Sequence, residues 1–254
     1  MNMNIPPFIH QGRIVWTMTT NGYKFYTLNL IAWLRDKAKV PWKLCVICCD
    51  TESYTFFRRE GIPCISYQTT ANKGQQCIAA FGTEDFAKWN KKKIELLKWF
   101  AENARGLGIT HTLYLDGDIV VQKDPWPVLL DNWNTSDFLF QCDCAGTKDH
   151  SGCGVICSGV IAHRIGEDSR LYEFEQEGWL AAERQDQGYI AQRLKTLGIP
   201  YTTLGRHLWG NGEWQKSGRW REEFPDWVLL HYNYRVGDTK KAAMRTFGHW
   251  LIPY

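Results

Sequence analysis

Short apolar runs alternate with helical spacings along the first half of the chain. Runs rich in β-branched residues predict four strands, at residues 13–18, 42–49, 63–67 and 110–115. Apolar positions three and four residues apart predict three helices, at residues 23–37, 53–61 and 83–104. Because strands and helices alternate, we predict an α/β fold with a mainly parallel, mixed sheet flanked by helices.

Length, charge and cysteine content limit the expected number of domains, the partners and the location. The 254 residues suit a single domain, with a regular half at residues 13–125 and a less regular, aromatic-rich half at residues 126–254. A net charge of +3 argues against a nucleic-acid partner, and no apolar run is long enough to span a membrane. Nine cysteines without a signal peptide favour reduced thiols and a cytoplasmic location, as a soluble protein or as a domain of a longer chain.

Two carboxylates follow the fourth predicted strand. Asp116 and Asp118 flank Gly117, between the apolar runs that end at Leu115 and begin at Ile119. Side chains two residues apart in an extended chain share one face, so both acids can point at one cation. Hard divalent ions such as Mn²⁺ and Mg²⁺ take oxygen ligands and share them with phosphates. The segment therefore predicts a metal site, and a solvated turn is the alternative.

A second segment of interest lies near the C-terminus. His231 ends an apolar run, and Gly237, Lys240 and Lys241 follow within ten residues. Neutral imidazole is a common metal ligand, and lysine supplies a point charge to phosphates. A half-buried histidine and a solvated lysine pair are the structural alternatives.

These segments resemble the nucleotide-diphospho-sugar glycosyltransferases of the GT-A fold, family 77-like and containing a D-x-D motif. The resemblance covers most of the chain and is carried by residues 17–23, Asn29, Phe86, Trp89, Lys93, residues 114–125, Gly159, Asp186, Gln187 and residues 231–241. It implies a single Rossmann-like GT-A domain in which residues 13–125 bind the nucleotide and residues 126–254 face the acceptor. Residues 119–124 depart from the run usual in the family, although Pro125 is kept.

The resemblance also implies a role for each matched residue. Mn²⁺ or Mg²⁺ would be held by Asp116, Asp118 and His231. The nucleoside would lie against Thr17, Asn21, Tyr23, Asp50 and Asp116. The diphosphate would face Lys93, Gly237, Lys240 and Lys241. The transferred sugar would be reached by Gln141, Asp143, Asp186 and Gln187.

The implied reaction moves a sugar from a nucleotide-diphosphate donor, with a UDP-sugar favoured, to a hydroxyl of a glycan or glycoprotein acceptor. The resemblance suggests retention of anomeric configuration. Asp186 and Gln187 are the expected catalytic residues. Asp186 could stabilise the oxocarbenium-like transition state, act as the nucleophile or deprotonate the acceptor. An acid favoured by a helix N-terminus is the structural alternative for Asp186.

Two other functions stay open at this point. A phosphatase or phosphotransferase of the haloacid-dehalogenase type also has a D-x-D after a strand, although there the pair usually follows the first strand. A non-catalytic module that binds a nucleotide-sugar would need the same pocket without turnover.

Two further clusters have both a functional and a structural interpretation. Zinc sites use four cysteine or histidine ligands, but buried thiols around a strand pair would give the same irregular spacing here: Cys142, Cys144, His150, Cys153 and Cys157. Aromatic loop residues could stack against an acceptor sugar or simply pack in the core: Trp209, Trp214 and Trp220.

Overall fold

The computed structural model describes residues 3–67, 82–133, 136–144, 153–166, 168–213 and 225–254. Its strands are β1 Arg13–Thr19, β2 Leu44–Cys48, β3 Cys64–Ser66, β4 His111–Leu115, β5 Ile119–Val121, β6 Phe138–Cys142, β7 Ile156–Arg164, β8 Tyr201–Leu204, β9 Trp209–Gly210 and β10 Leu229–His231. Its helices are α1 Lys24–Asp36, α2 Thr51–Arg59, α3 Glu84–Asn103, α4 Trp126–Asn132, α5 Gln176–Ala181, α6 Asp186–Leu197 and α7 Gly237–Thr246.

A seven-stranded mixed sheet forms the centre of the molecule. Its strand order is β3-β2-β1-β4-β7-β6-β8, and β7 is antiparallel to both of its neighbours. The pairs β3–β2, β2–β1, β1–β4 and β6–β8 are parallel. This arrangement confirms the predicted mainly parallel α/β fold. The carboxyl ends of β1, β2 and β4 lie at one edge of the sheet, which is where such sheets bind ligands.

Side chains alternate between two apolar layers on the faces of this sheet. Along β1, Ile14 and Trp16 pack in the layer that contains α3, α5 and α6. Val15 points to the other face, against Leu30 and Leu34 of α1. Successive side chains of a strand point to opposite faces of the sheet. Because both faces are covered here, the residues that point either way are apolar, and the strand reads as a continuous apolar run in the sequence.

Local polar contacts set where two of the predicted helices begin. The Asp50 carboxylate accepts the backbone N–H of Ser53 at 2.7 Å and caps α2. The Thr83 hydroxyl oxygen accepts the N–H of Phe86 at 3.2 Å and caps α3. Both contacts satisfy N–H groups that the first helical turn leaves without a partner. Among the described residues, none of the helices combines the length and the apolar character needed to cross a membrane.

A small second sheet carries the C-terminal part of the site. Strand β10 pairs antiparallel with β5 and parallel with β9, and His231 stands opposite Ile119 in this register. Helix α7 packs on it through Ala243 and Met244, against Tyr26 and Trp33 of α1 among others. The register therefore carries His231 to the segment that directly follows Asp118.

Candidate metal centre and cavity

The two predicted metal-binding carboxylates flank a turn at the end of β4. The N–H of Ile119 donates to the carbonyl oxygen of Asp116 at 3.3 Å, so the chain turns here. The prediction of an extended segment here is therefore wrong, but the two carboxylates still converge. A side chain on Gly117 would meet the Thr27 hydroxyl, because a Cβ there would lie 2.7 Å from its oxygen. Glycine lets the turn approach α1 closely.

His231 completes a carboxylate–histidine cluster, which we define as Asp116, Asp118 and His231. One potential ligand atom from each residue lies within 4.8 Å of the others. The imidazole Nε2 is 3.3 Å from an Asp118 oxygen and 3.6 Å from an Asp116 oxygen. Two carboxylates and an imidazole form a donor set that fits Mn²⁺ or Mg²⁺.

Gln141 fixes the orientation of the histidine ring. Its amide nitrogen donates to the carbonyl oxygens of Gly210 and Trp209, at 2.6 and 3.2 Å. Its amide oxygen therefore faces His231, 3.0 Å from Nδ1. An amide oxygen only accepts, so Nδ1 carries a proton and Nε2 is left to face the carboxylates. Buried Gln141 acts on the cluster through His231 and does not line the cavity.

Two buried lysines, Lys240 and Lys93, balance the charge of the carboxylates. The Lys240 ammonium of α7 pairs with Asp118. Burial opposes the ionised form of Asp118, but Lys240 and then His231 outweigh it and hold the pKa of Asp118 below its usual range. Burial likewise opposes charge on Lys240 and His231, whereas Asp118 raises the pKa of both groups. The cluster is thus a site of concentrated, compensated charge.

Lys93 of α3 links the first carboxylate to the start of α6. Its ammonium lies 2.7 Å from an Asp186 oxygen and 3.3 Å from an Asp116 oxygen, and it sits over the Tyr114 ring. Burial lowers the pKa of Lys93, but Asp116 and then Asp186 raise it above its ordinary value. Asp116 is 31% exposed and Asp118 only 4%, so Asp116 is the carboxylate that a bound molecule can reach.

A second group of polar residues lies across the cavity, and we define it as the amide–carboxylate cluster: Asp143, Gln187 and Asn233. The Asp143 carboxylate accepts from the Gln187 amide at 2.9 Å and from the Asn233 amide at 2.8 Å. Gln187 also accepts the backbone N–H of Ser158 at 3.3 Å. These contacts tie together residues from α6 and from the segments after β6 and β10.

Both clusters open into a cavity of about 860 Å³. Ten of the residues predicted for the site line it: Tyr23, Lys93, Asp116, Asp118, Asp143, Asp186, Gln187, His231, Gly237 and Lys240. Sequence reasoning missed Asn233, although it lies only two residues after His231. It also missed Tyr114, whose hydroxyl donates to Asp116 from inside β4.

Four further predicted donor-binding residues do not line the cavity in this structure. Thr17 is buried within β1. The Asp50 carboxylate accepts the backbone N–H of Asn21 at 2.7 Å in addition to capping α2. The Lys241 ammonium lies 4.9 Å from the centre of the Trp250 ring.

The structure describes only some members of the predicted aromatic and cysteine clusters. Trp209 is buried in the core, so it does not form the stacking wall considered above. Trp214, Trp220 and His150 lie outside the described residues. Cys157 contacts His231, with its sulfur 3.4 Å from Nδ1, and thus separates from the other three cysteines of its predicted group.

Comparisons with solved structures agree with this architecture. Glycosyltransferase GlyE of Streptococcus pneumoniae TIGR4 matches with a TM-score of 0.54 and 14% identity, over 94% of this chain and 61% of that one. Galactosyltransferase LgtC, solved with donor and acceptor sugar analogs, matches with a TM-score of 0.53 and 13% identity, over 93% and 94%. Mouse xyloside xylosyltransferase 1 matches with a TM-score of 0.51 and 12% identity, over 88% and 98%.

At these identities the matches establish the fold, which is that of GT-A glycosyltransferases. The chain spans only about 61% of the length of GlyE. No curated protein matches the sequence. The family described as nucleotide-diphospho-sugar transferase matches residues 42–244, which is well over half of the chain. The chain therefore belongs to the nucleotide-diphospho-sugar transferase family.

Proposed function

We propose that the protein is a metal-dependent glycosyltransferase. It moves a sugar from a nucleotide-diphosphate donor, with a UDP-sugar favoured, to a hydroxyl of a glycan or glycoprotein acceptor, with retention. The observation that carries the proposal is the convergence of Asp116, Asp118 and His231 in the wall of a cavity in a chain of this family.

The carboxylate–histidine cluster would hold Mn²⁺ or Mg²⁺. A bound divalent ion supplies Lewis-acid stabilisation to the charge that develops on the departing diphosphate. Asp118 offers one oxygen toward this site while Lys240 holds the other. His231 offers Nε2, which Gln141 orients from the far side of the ring. Asp116, the more exposed carboxylate, would also reach the ribose.

The start of α7 supplies positive charge for the diphosphate. Lys240 is buried beside Asp118, and Gly237 opens the helix at the cavity wall. Helix N-termini favour anions, and lysine adds a point charge. Lys241 follows Lys240 in this helix and would join on the solvent side. Lys93 would neutralise the diphosphate from α3.

Asp186 and Gln187 face the space where the sugar would sit. We assign to Asp186 the stabilisation of positive charge at the anomeric carbon, because Lys93 fixes its carboxylate at the cavity wall. The amide of Gln187 and the carboxylate of Asp143 would hold sugar hydroxyls. The resemblance to the family implies retention, which the anomeric configuration of the product tests.

Donor binding gives the first test. Melting temperature is measured with UDP-, GDP-, TDP- and CMP-linked sugars, each with and without Mn²⁺, since a ligand of the folded state raises it by mass action. We expect a metal-dependent rise with UDP-sugars. Asp118→Asn should lose this rise. Asp226→Ala is the matched control because Asp226 is exposed and, among the described residues, pairs with Lys123 at the surface.

Release of nucleoside diphosphate in the presence of glycan acceptors then tests turnover. Binding of the nucleotide-sugar without release of nucleoside diphosphate, with every acceptor tested, would favour the non-catalytic module. No shift with any nucleotide-sugar in the presence of metal would overturn the proposal.

A further inference from the structure

The ends of β6 and β7 bring three sulfur atoms together outside the carboxylate–histidine cluster. Cys142 ends β6, Cys144 follows two residues later, and Cys153 lies just before β7. All three sulfurs lie within 4.8 Å of one another. Those of Cys142 and Cys153 are 2.7 Å apart and would separate to about 3.8 Å to bind one tetrahedral Zn²⁺ with Zn–S bonds of about 2.3 Å. We call this group the sulfur cluster. The segment that leads into β7 thus supplies a third ligand, which the C-x-C spacing alone lacks.

Backbone N–H groups point at two of the three sulfurs. The N–H of Cys144 donates to the sulfur of Cys142, and the N–H of Val155 donates to the sulfur of Cys153, each at 3.4 Å. The same two-residue step thus occurs on both strand ends. A hydrogen bond to the charged form of a group favours that form, so both contacts stabilise thiolate. Thiolate is the form of cysteine that binds metal.

The surroundings of the cluster also suit a charged, accessible site. The guanidinium of Arg206 is buried and donates to the carbonyl oxygen of Cys144 at 2.8 Å. Its positive charge lowers the pKa of Cys144, but burial keeps the pKa of both Cys142 and Cys144 above the ordinary thiol value, so a bound metal must displace their protons. Cys144 and Cys153 are partly exposed, whereas Cys142 is buried. An ion can therefore enter from solvent and still be held against a rigid strand end.

We propose that Cys142, Cys144 and Cys153 form a zinc site, separate from the carboxylate–histidine cluster. Three thiolates fill three positions of a tetrahedral Zn²⁺, and the fourth is left to a ligand outside this set. Each cysteine gives up its thiol proton to solvent on binding. Soft sulfur ligands select Zn²⁺, whereas the oxygen-rich cluster suits Mn²⁺ or Mg²⁺, so the two sites take different ions.

The zinc site would brace the amide–carboxylate cluster. Asp143 lies between Cys142 and Cys144 in the chain, and its carboxylate holds both Gln187 and Asn233. Fixing the two flanking cysteines to one ion would hold this carboxylate in place. The proposal does not depend on glycosyl transfer, because sulfur ligation is measured directly.

Cobalt spectroscopy of the reduced full chain tests the site. Co²⁺ bound to thiolates gives charge-transfer bands that oxygen and nitrogen ligands do not give. We expect these bands in the wild type, their loss in Cys153→Ser, and their retention in Asp118→Asn. Cys64→Ser is the matched control, since Cys64 is a partly exposed thiol of β3. Metal analysis of the zinc-loaded chain should give one tightly held Zn²⁺ that Cys153→Ser loses.

Alkylation of the wild type covers the case in which the variant fails to fold. Zn²⁺ should slow the alkylation of Cys144 and Cys153 at least tenfold and leave Cys64 unchanged, as mapped by mass spectrometry. Equal rates with and without Zn²⁺, or absence of the cobalt bands in reduced wild type, would overturn the proposal. So would a Cys142–Cys153 disulfide that persists under reducing conditions, because it would leave too few thiolates.

Discussion

Different forces hold the two polar clusters of the cavity in place. The carboxylate–histidine cluster is built from buried charges, with Lys240 paired to Asp118 and Lys93 close to Asp116. The amide–carboxylate cluster has a single carboxylate, which accepts hydrogen bonds from the neutral amides of Gln187 and Asn233. Concentrated charge suits a divalent ion and a diphosphate, whereas amides suit uncharged hydroxyls. The contrast suggests that one cavity wall serves the leaving group and the other the sugar.

The largest effect should come from removing one charge of the carboxylate–histidine cluster. Asp118→Asn keeps the shape but takes away a metal-binding oxygen. Loss of a metal worth several kcal/mol to the transition state should lower metal-dependent transfer about 10³-fold or more. Rates at saturating Mn²⁺ measure this, with Asp226→Ala as control. Wild-type transfer by Asp118→Asn would contradict the metal site.

The next largest effect should come from crowding the same cluster without touching a ligand. A Cβ on Gly159 would lie 2.1 Å from His231 Cε1 and 2.8 Å from an Asp116 oxygen. Gly159→Ala must therefore displace the ring or the strand, at a stability cost of about 1–3 kcal/mol. We expect Mn²⁺ affinity to fall more than a hundredfold, measured by titration calorimetry.

Gly106 provides the matched control for this substitution. A Cβ there meets no described atom within 4 Å, so Gly106→Ala should leave metal affinity unchanged. Equal Mn²⁺ affinity in Gly159→Ala and wild type would show that His231 is not a ligand held in this position.

A smaller effect should follow from releasing the histidine ring. Gln141→Leu keeps the volume but removes the amide oxygen that lies 3.0 Å from His231 Nδ1. Partners of this kind typically contribute 10- to 100-fold to metal affinity. The Mn²⁺ concentration for half-maximal transfer should rise by about that factor, while the rate at saturating Mn²⁺ changes little. A purely structural role would leave the Mn²⁺ requirement unchanged.

Weakening the amide–carboxylate cluster should lower the transfer rate and leave the Mn²⁺ requirement unchanged. In Asp143→Asn one amide donor, from Gln187 or Asn233, loses its acceptor. Such a loss costs about 1–2 kcal/mol, so kcat/KM should fall roughly tenfold. The Mn²⁺ requirement should stay at the wild-type value, because no ligand of the other cluster is touched. A shift in that requirement would mean that the two clusters are not independent.

Both clusters show what the sequence could and could not predict. Asp116 and Asp118 were found because they follow an apolar strand, and the parallel neighbours of that strand share its carboxyl edge. The link between Gln141 and His231 spans 90 residues and depends on how β6 approaches the second sheet. No local pattern encodes that approach. The antiparallel insertion of β7 between β4 and β6 is equally non-local.

The family resemblance and the structure assign different roles to Asp50. The resemblance implied contact with the nucleoside, whereas the carboxylate caps α2 and accepts the N–H of Asn21. Asp50→Ala should therefore lower stability by about 1–2 kcal/mol, measured by denaturant unfolding, with little change in donor KM. Asp50→Asn, which still caps a helix, should stay close to wild type in both measurements. If instead donor KM rises in both variants while stability holds in Asp50→Asn, the carboxylate binds the donor. That result would extend the charged wall of the cavity as far as β2.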